Sequence, residues 1–202
     1  MGTLARVASG EPASAIPSAP EGADRAMAAY ARGDDDAFGE VYEALAPPLL
    51  GHLRRECRDA ASAEDLLQQT FLHMIRGRGT FRPGAAVRPW AFAIARCLLI
   101  DSLRRWAHRA IVPSGDPPDV AAVGEPDQIV GAQRAARRVD AALHRLPAAQ
   151  RSAFALVRQD GLSQREAAEV LGTSEKAVKA LVHRASDALR AVVGDEFEVR
   201  RP

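Results

Sequence analysis

Lys176, Lys179, His183 and Arg184 lie close together in "EKAVKALVHRAS". On a helical wheel with Val178 at zero, Lys176, Lys179, His183 and Arg190 fall at about 100–160°, and Ala180 and Arg184 at about 200–240°. Val178, Leu181, Val182, Ala185 and Leu189 gather within about 60° of zero. One side of such a helix is core. The other offers cations to phosphates and a few side chains to base edges, which suits a major groove. The alternative is the solvated charged face of an ordinary three-helix bundle.

The elements that must hold this helix are legible just before it. Ser163 can cap a first helix, with Glu166 three residues on completing a capping box. Leu171-Gly172 ends that helix, glycine allowing the left-handed C-cap conformation. Ser174 can cap the next. Helix, glycine-containing turn and second helix make a helix-turn-helix pattern. Arg158, in the preceding "AAQRSAFALVRQDG", is a candidate DNA-backbone contact.

A second set of chemistry-bearing residues lies upstream. Residues 76–109 hold eight arginines against one acid, Asp101, whereas residues 1–40 hold seven acids against three arginines. Net charge is only +1, so the asymmetry points to a local anion-binding face rather than a generally sticky chain. "GRGTFRPGAAVRP" reads as a loop on its glycines and prolines. "WAFAIARCLLIDSLRRWAHR" is apolar on nearly all sides until Asp101, so it is expected to be the central buried helix of a first domain. A basic channel with aromatic surfaces suits single-stranded DNA or a flipped base. Phe81 and Trp90 flank the Arg82–Arg88 loop, and Arg82, Arg88, Arg96, Arg104 and Arg105 are suitable phosphate partners. Trp90 as plain core is the competing reading.

Composition limits the alternatives. The chain has 202 residues, 47% of them hydrophobic but only 5% aromatic, so cores must be built from Leu, Val, Ile and Ala. Abundant Ala and Arg with few strand formers predict an all-α fold. Cys57 and Cys97 lie far apart without a CxxC pattern, which fits a reducing cytosol and neither a disulfide framework nor a zinc motif. No apolar run of about 18 residues predicts a membrane span, and no secretory signal pattern opens the chain, so a cytoplasmic protein is expected. His52, His73, His108, His144 and His183 are scattered, and no nucleophile–base pair, P-loop or dinucleotide fingerprint stands out. No enzyme, metal or cofactor is expected.

The pattern divides the chain as follows. Residues 1–23 are expected to be a disordered tail, 24–112 a first helical domain, 113–130 an acidic flexible linker, 131–193 a second helical domain and 194–202 a short tail. Phe38, Val41, Tyr42 and Leu45 share one helix face, and Pro47 and Pro48 are expected to break or re-start that helix. "SAEDLLQQTFLHMIRG" is expected to open at Ser62, with Asp65 in a capping arrangement and an apolar face of Leu66, Leu67, Phe71, Met74 and Ile75.

"AEDLLQQTFL", "FRPGAAVRPWAFAIARCLLIDSLRR" and "LPAAQRSAFALVRQDGLSQREAAEVLGTSEKAVKALVHRA" follow one another with an acidic linker before the third. This series resembles bacterial RNA polymerase sigma factors of the extracytoplasmic-function (ECF) group, over roughly residues 25–192. The resemblance implies two small helical domains, a region 2-like domain and a region 4-like helix-turn-helix domain. The first would dock on the clamp helices of the polymerase largest subunit and help melt the −10 element. The second would bind the −35 element, with the polymerase flap as a further partner. Asp65, Gln68 and Gln69 would be polar contacts to polymerase. The loop Arg82–Arg88 corresponds to the family's −10 specificity loop, and Lys176, Lys179, Ala180, His183 and Arg184 to its −35 reading helix. An anti-sigma factor is the implied regulator.

Three departures stand out. The family often has an acid where Gln69 stands. It typically has asparagine after "IAR", where this chain has Cys97, a poor hydrogen-bonding substitute. Cys97 as buried packing is the alternative. The family often reads "VKSRLHRAR", but Ala180 and Leu181 replace its serine and arginine, leaving more of the −35 reading to DNA shape and phosphates. A stand-alone helix-turn-helix regulator is the rival reading, and it leaves the first domain unexplained.

Overall fold

The structure is a computed structural model that describes residues 21–57, 59–82, 84–111, 139 and 141–198. No strand occurs among the described residues, and the fold is all-α. The expected linker 113–130 lies outside the described residues, as do 1–20 and 199–202.

Among the described residues, four α-helices form the N-terminal half. In α1 (Glu21–Arg32), Ala23, Ala26, Met27 and Tyr30 are buried at the i, i+3, i+4, i+7 spacing of one helix face. Ala23 packs into the core, although the sequence predicts a tail over residues 1–23. In α2 (Phe38–Glu56), Val41, Leu45, Leu49, His52 and Leu53 face inward. The helix continues through Pro47 and Pro48, against the expected break or re-start. Proline removes the N–H bonds to the carbonyls of Glu43 and Ala44. Pro47 is exposed, so water can reach that side, while burial of Leu45 and Leu49 holds the axis.

The next helix, α3 (Ala60–Arg76), is capped by Asp59 rather than Ser62. The Asp59 carboxylate accepts the Ser62 N–H at 2.7 Å and its hydroxyl at 2.8 Å. Ser62 therefore lies inside the first turn and donates to the cap. Thr70, fully buried, donates its hydroxyl to the Leu66 carbonyl at 2.7 Å, which satisfies its polar atom locally. Ile75 does not belong to the inner face: it is exposed, as is Leu72. The last of the four, α4 (Val87–Ile111), packs on α1, α2 and α3 as the central element. Val87, Ala91, Phe92, Ala95 and Leu99 are its buried side. Burying a side chain such as Phe92 is worth about 1.5–3 kcal/mol.

The C-terminal half opens with helical residues 141–145, among which Ala142 is buried. Helix α5 (Ala148–Phe154) comes next and passes into a π-helical turn, Ala155–Gln159. There the Asp160 N–H reaches back to the Ala155 carbonyl at 2.8 Å. Two further helices follow, α6 (Gln164–Leu171) and α7 (Glu175–Glu198). The last runs past the expected domain end at Val193. Both α5 and α6 pack on α7, and α6 also packs on α4, so one hydrophobic cluster spans both halves.

Candidate nucleic-acid and polymerase interfaces

The helix-turn-helix is built by its caps. Ser163 Oγ accepts the Glu166 N–H at 3.2 Å, and Glu166 Oε2 accepts the Ser163 N–H at 2.8 Å. Gly172 ends α6 in the left-handed conformation at φ +63°. Ser174 Oγ accepts the Ala177 N–H at 3.2 Å and starts α7. These local bonds set the angle at which α7 leaves the turn.

Along α7, Val178, Val182, Ala185 and Leu189 are buried, while Lys176, Lys179, Ala180, His183 and Arg184 are exposed. The sequence-predicted set therefore lies together on the outer side of one helix. Asp187 joins it: its carboxylate lies 2.7 Å from His183 Nδ1 and 2.8 Å from Arg190 Nη1. That acid was missed in the sequence, although its i+4 spacing from His183 was a usable signal. Arg158 is exposed in the π-helical turn.

In the other half, the Phe81 ring is buried and its centroid lies 5.2 Å from that of half-buried Trp90. Arg82 is exposed beside them. The loop turns at Gly84, φ +85°, and ends where Asp24 Oδ1 accepts the Val87 N–H at 2.7 Å. A cleft of about 670 Å³ opens here, with Phe81, Arg82 and Trp90 on one wall and Arg165 and Glu169 of α6 on the other.

Arg88 is not gathered with these residues. It is 7% exposed, lies 5.8 Å over the Phe92 ring and donates to the backbone carbonyl of Asp160. Further along α4, Arg96 is half-buried and Cys97, Arg104 and Arg105 are exposed. Exposure of Cys97 removes the alternative that it is packed core. Arg105 Nε donates to the Asp101 carbonyl at 3.2 Å, and Arg104 Nη1 lies 3.9 Å from the Asp101 carboxylate.

On α3, Asp65 and Gln68 are exposed and Gln69 half-buried. Leu72 and Ile75 extend this outer surface as an apolar patch. At the N-terminal end of α3, hydrogen bonds from the backbone and side chain of Ser62 hold the Asp59 carboxyl below the usual aspartate range. Burial, with Asp59 and Glu56 nearby, pushes the Cys57 thiol up.

Residues 41–109 match the family described as sigma-70 region 2, and residues 136–189 match sigma-70 region 4. The RNA polymerase sigma factor CarQ of Myxococcus xanthus is 35% identical over 176 residues, 87% of this chain and all of that protein. The ECF RNA polymerase sigma factor SigF of Caulobacter vibrioides is 37% identical over 158 residues, 78% of this chain and 86% of that one. Among solved structures, CnrH in complex with the cytosolic domain of CnrY superposes with a TM-score of 0.64 at 28% identity, covering 86% of this chain and 98% of that one.

Proposed function

The chain belongs to the extracytoplasmic-function group of sigma-70 RNA polymerase sigma factors, and from that premise we propose that it binds core RNA polymerase and directs initiation at promoters with specific −35 and −10 elements. The observation that carries the reading is α7: its inner side is buried, its outer side is cationic, and its start is set by two caps. Lys176, Lys179, His183 and Arg184 meet the −35 duplex, with Ala180 leaving room for close approach and Arg158 steadying the backbone.

Phe81, Arg82 and Trp90 frame the cleft that takes an unstacked −10 base, with Cys97 further along α4. Arg96, Arg104 and Arg105 carry the strand's phosphates along α4. The exposed face of α3, with Asp65, Gln68, Gln69, Leu72 and Ile75, docks on the polymerase clamp helices. The flap is the second contact, beside the −35 domain. An anti-sigma factor is the regulator we propose, supported by the similar structure of CnrH, which was solved in complex with a protein partner, the cytosolic domain of CnrY. No helix among the described residues is long and apolar enough to cross a membrane. The site of action is the cytoplasm, where polymerase and promoter DNA meet.

The test is transcription by purified core polymerase on fragmented host DNA, with and without the protein, mapping RNA 5′ ends. Protein-dependent starts sharing two upstream elements support the reading. It fails if no new starts appear and the protein does not co-elute with core polymerase. Tight duplex binding without polymerase would then favour the stand-alone regulator.

A further inference from the structure

Asp160 is 5% exposed, and side chains from the N-terminal half converge on it. His52 Nδ1 lies 2.8 Å from its Oδ2. Arg55 donates to its Oδ1, and Arg88 to its backbone carbonyl. His52 and Arg88 are nearly as buried as Asp160 itself, while Arg55 is half-exposed. A second, looser link joins Arg151 to Glu56 at 3.9 Å. Asp160 follows the π-helical turn, and the Leu162 N–H beyond it bonds the Leu156 carbonyl at 2.9 Å, so the acid is presented by a fixed corner of the C-terminal half.

We propose that Asp160 is a latch that closes the C-terminal half over the −10 face and holds the free protein in an autoinhibited state. The inference rests on the proposed function, because it takes the Arg82 cleft to be DNA-contacting, and it adds Arg88 as a phosphate contact that only the open state frees. In the closed state Arg88 has its guanidinium spent on Asp160, and α6 supplies the far wall of the cleft through Arg165 and Glu169. DNA and the C-terminal half therefore compete for the same surface. The latch is reversible for a physical reason. Desolvation of a buried ion pair roughly offsets its attraction, so the polar contacts themselves part at modest net cost, and the apolar surface shared by the halves is what an opening partner must cover. Arg88 Nε has no hydrogen-bond partner in the closed state, which leaves it a donor for a phosphate once the halves part.

The test uses the full chain. Arg55→Glu sets a like charge against Asp160, Arg55→Lys keeps the cation, and Asp160→Ala removes the acid. Because Arg55 is half-exposed, its replacement leaves both halves folded, which far-UV circular dichroism checks. Small-angle scattering should give a compact free wild-type and Arg55→Lys protein, and a radius of gyration larger by several ångström for Arg55→Glu and Asp160→Ala. If the closed state dominates, opening it raises apparent affinity for core polymerase roughly tenfold, since apparent affinity scales with the competent fraction. An expanded wild-type protein, or an Arg55→Glu protein as compact as wild type, overturns the latch. Expansion without tighter polymerase binding overturns autoinhibition. If no variant binds polymerase, the sigma-factor reading itself fails, while scattering still decides whether the halves are latched.

Discussion

Asp24, near the start of α1, accepts the backbone N–H of Val87 at 2.7 Å, so the first described helix caps the helix that leaves the Arg82–Arg88 loop. Loss of a capping carboxylate costs about 1 kcal/mol. Asp24→Ala should lower stability by that order and speed hydrogen exchange at Val87 and its neighbours, with α7 unchanged. Unchanged exchange at Val87 would mean the loop exit is held by packing alone.

Lys179→Ala and Arg184→Ala should weaken initiation at promoters that depend on the −35 element, with polymerase co-elution retained. A lost base contact should cost about 1–3 kcal/mol and relax preference at one position, whereas a lost phosphate contact should lower the salt dependence by about one unit of slope. Start-site mapping on promoters with substituted −35 elements separates the two.

Gly172→Ala tests the turn. A Cβ there would meet nothing within 4 Å, so its cost is conformational only, from φ +63°. About 1 kcal/mol of destabilisation is expected, read as a lower denaturant midpoint at unchanged slope.

The two thiols should separate in a brief alkylation. Cys97 is exposed, while Cys57 is partly buried and its thiolate is disfavoured by that burial and by Asp59 and Glu56. Peptide mass spectrometry should find Cys97 modified well ahead of Cys57. Equal rates would mean that the Cys57 corner opens freely.

Asp59 gives an acid-side signature. Its carboxyl is held below the ordinary value by the Ser62 hydrogen bonds. Its contribution is therefore fully present above about pH 3.9, the unfolded aspartate value, and is lost as pH falls through the lower folded value. Asp59→Asn keeps a capping oxygen but cannot titrate. Its helical signal should fall less steeply than wild type on acidification below about pH 4. Parallel acid curves would show that the α3 cap does not contribute.

Local chemistry was legible in the sequence and distant chemistry was not. Ser163, Glu166, Gly172 and Ser174 act within a few residues of themselves, so the turn and the outward cations of α7 are legible in the sequence alone. Pro47 and Pro48 misled because the rule for isolated helices ignores a buried face that holds the axis. The α3 cap shifted from Ser62 to Asp59 because either residue can cap and spacing alone does not choose. Ile75 matched the apolar pattern, yet it stands outward beside Leu72, where the pattern cannot say what covers it. Arg88 matched its neighbours as a phosphate partner, but its contact with Asp160 crosses 72 residues, and no periodicity reports such a pairing.

The hydrophobic cluster shared by the two halves has a consequence for how the chain melts. Leu156, Val170 and Val178 belong to the same cluster as Leu45 and Phe92, so the free protein should lose structure in one cooperative step rather than two. Any partner that draws the halves apart uncouples them and inherits the apolar surface between them. A bound complex would then keep that surface covered, and a chain released without re-closing would expose it to proteases and to aggregation.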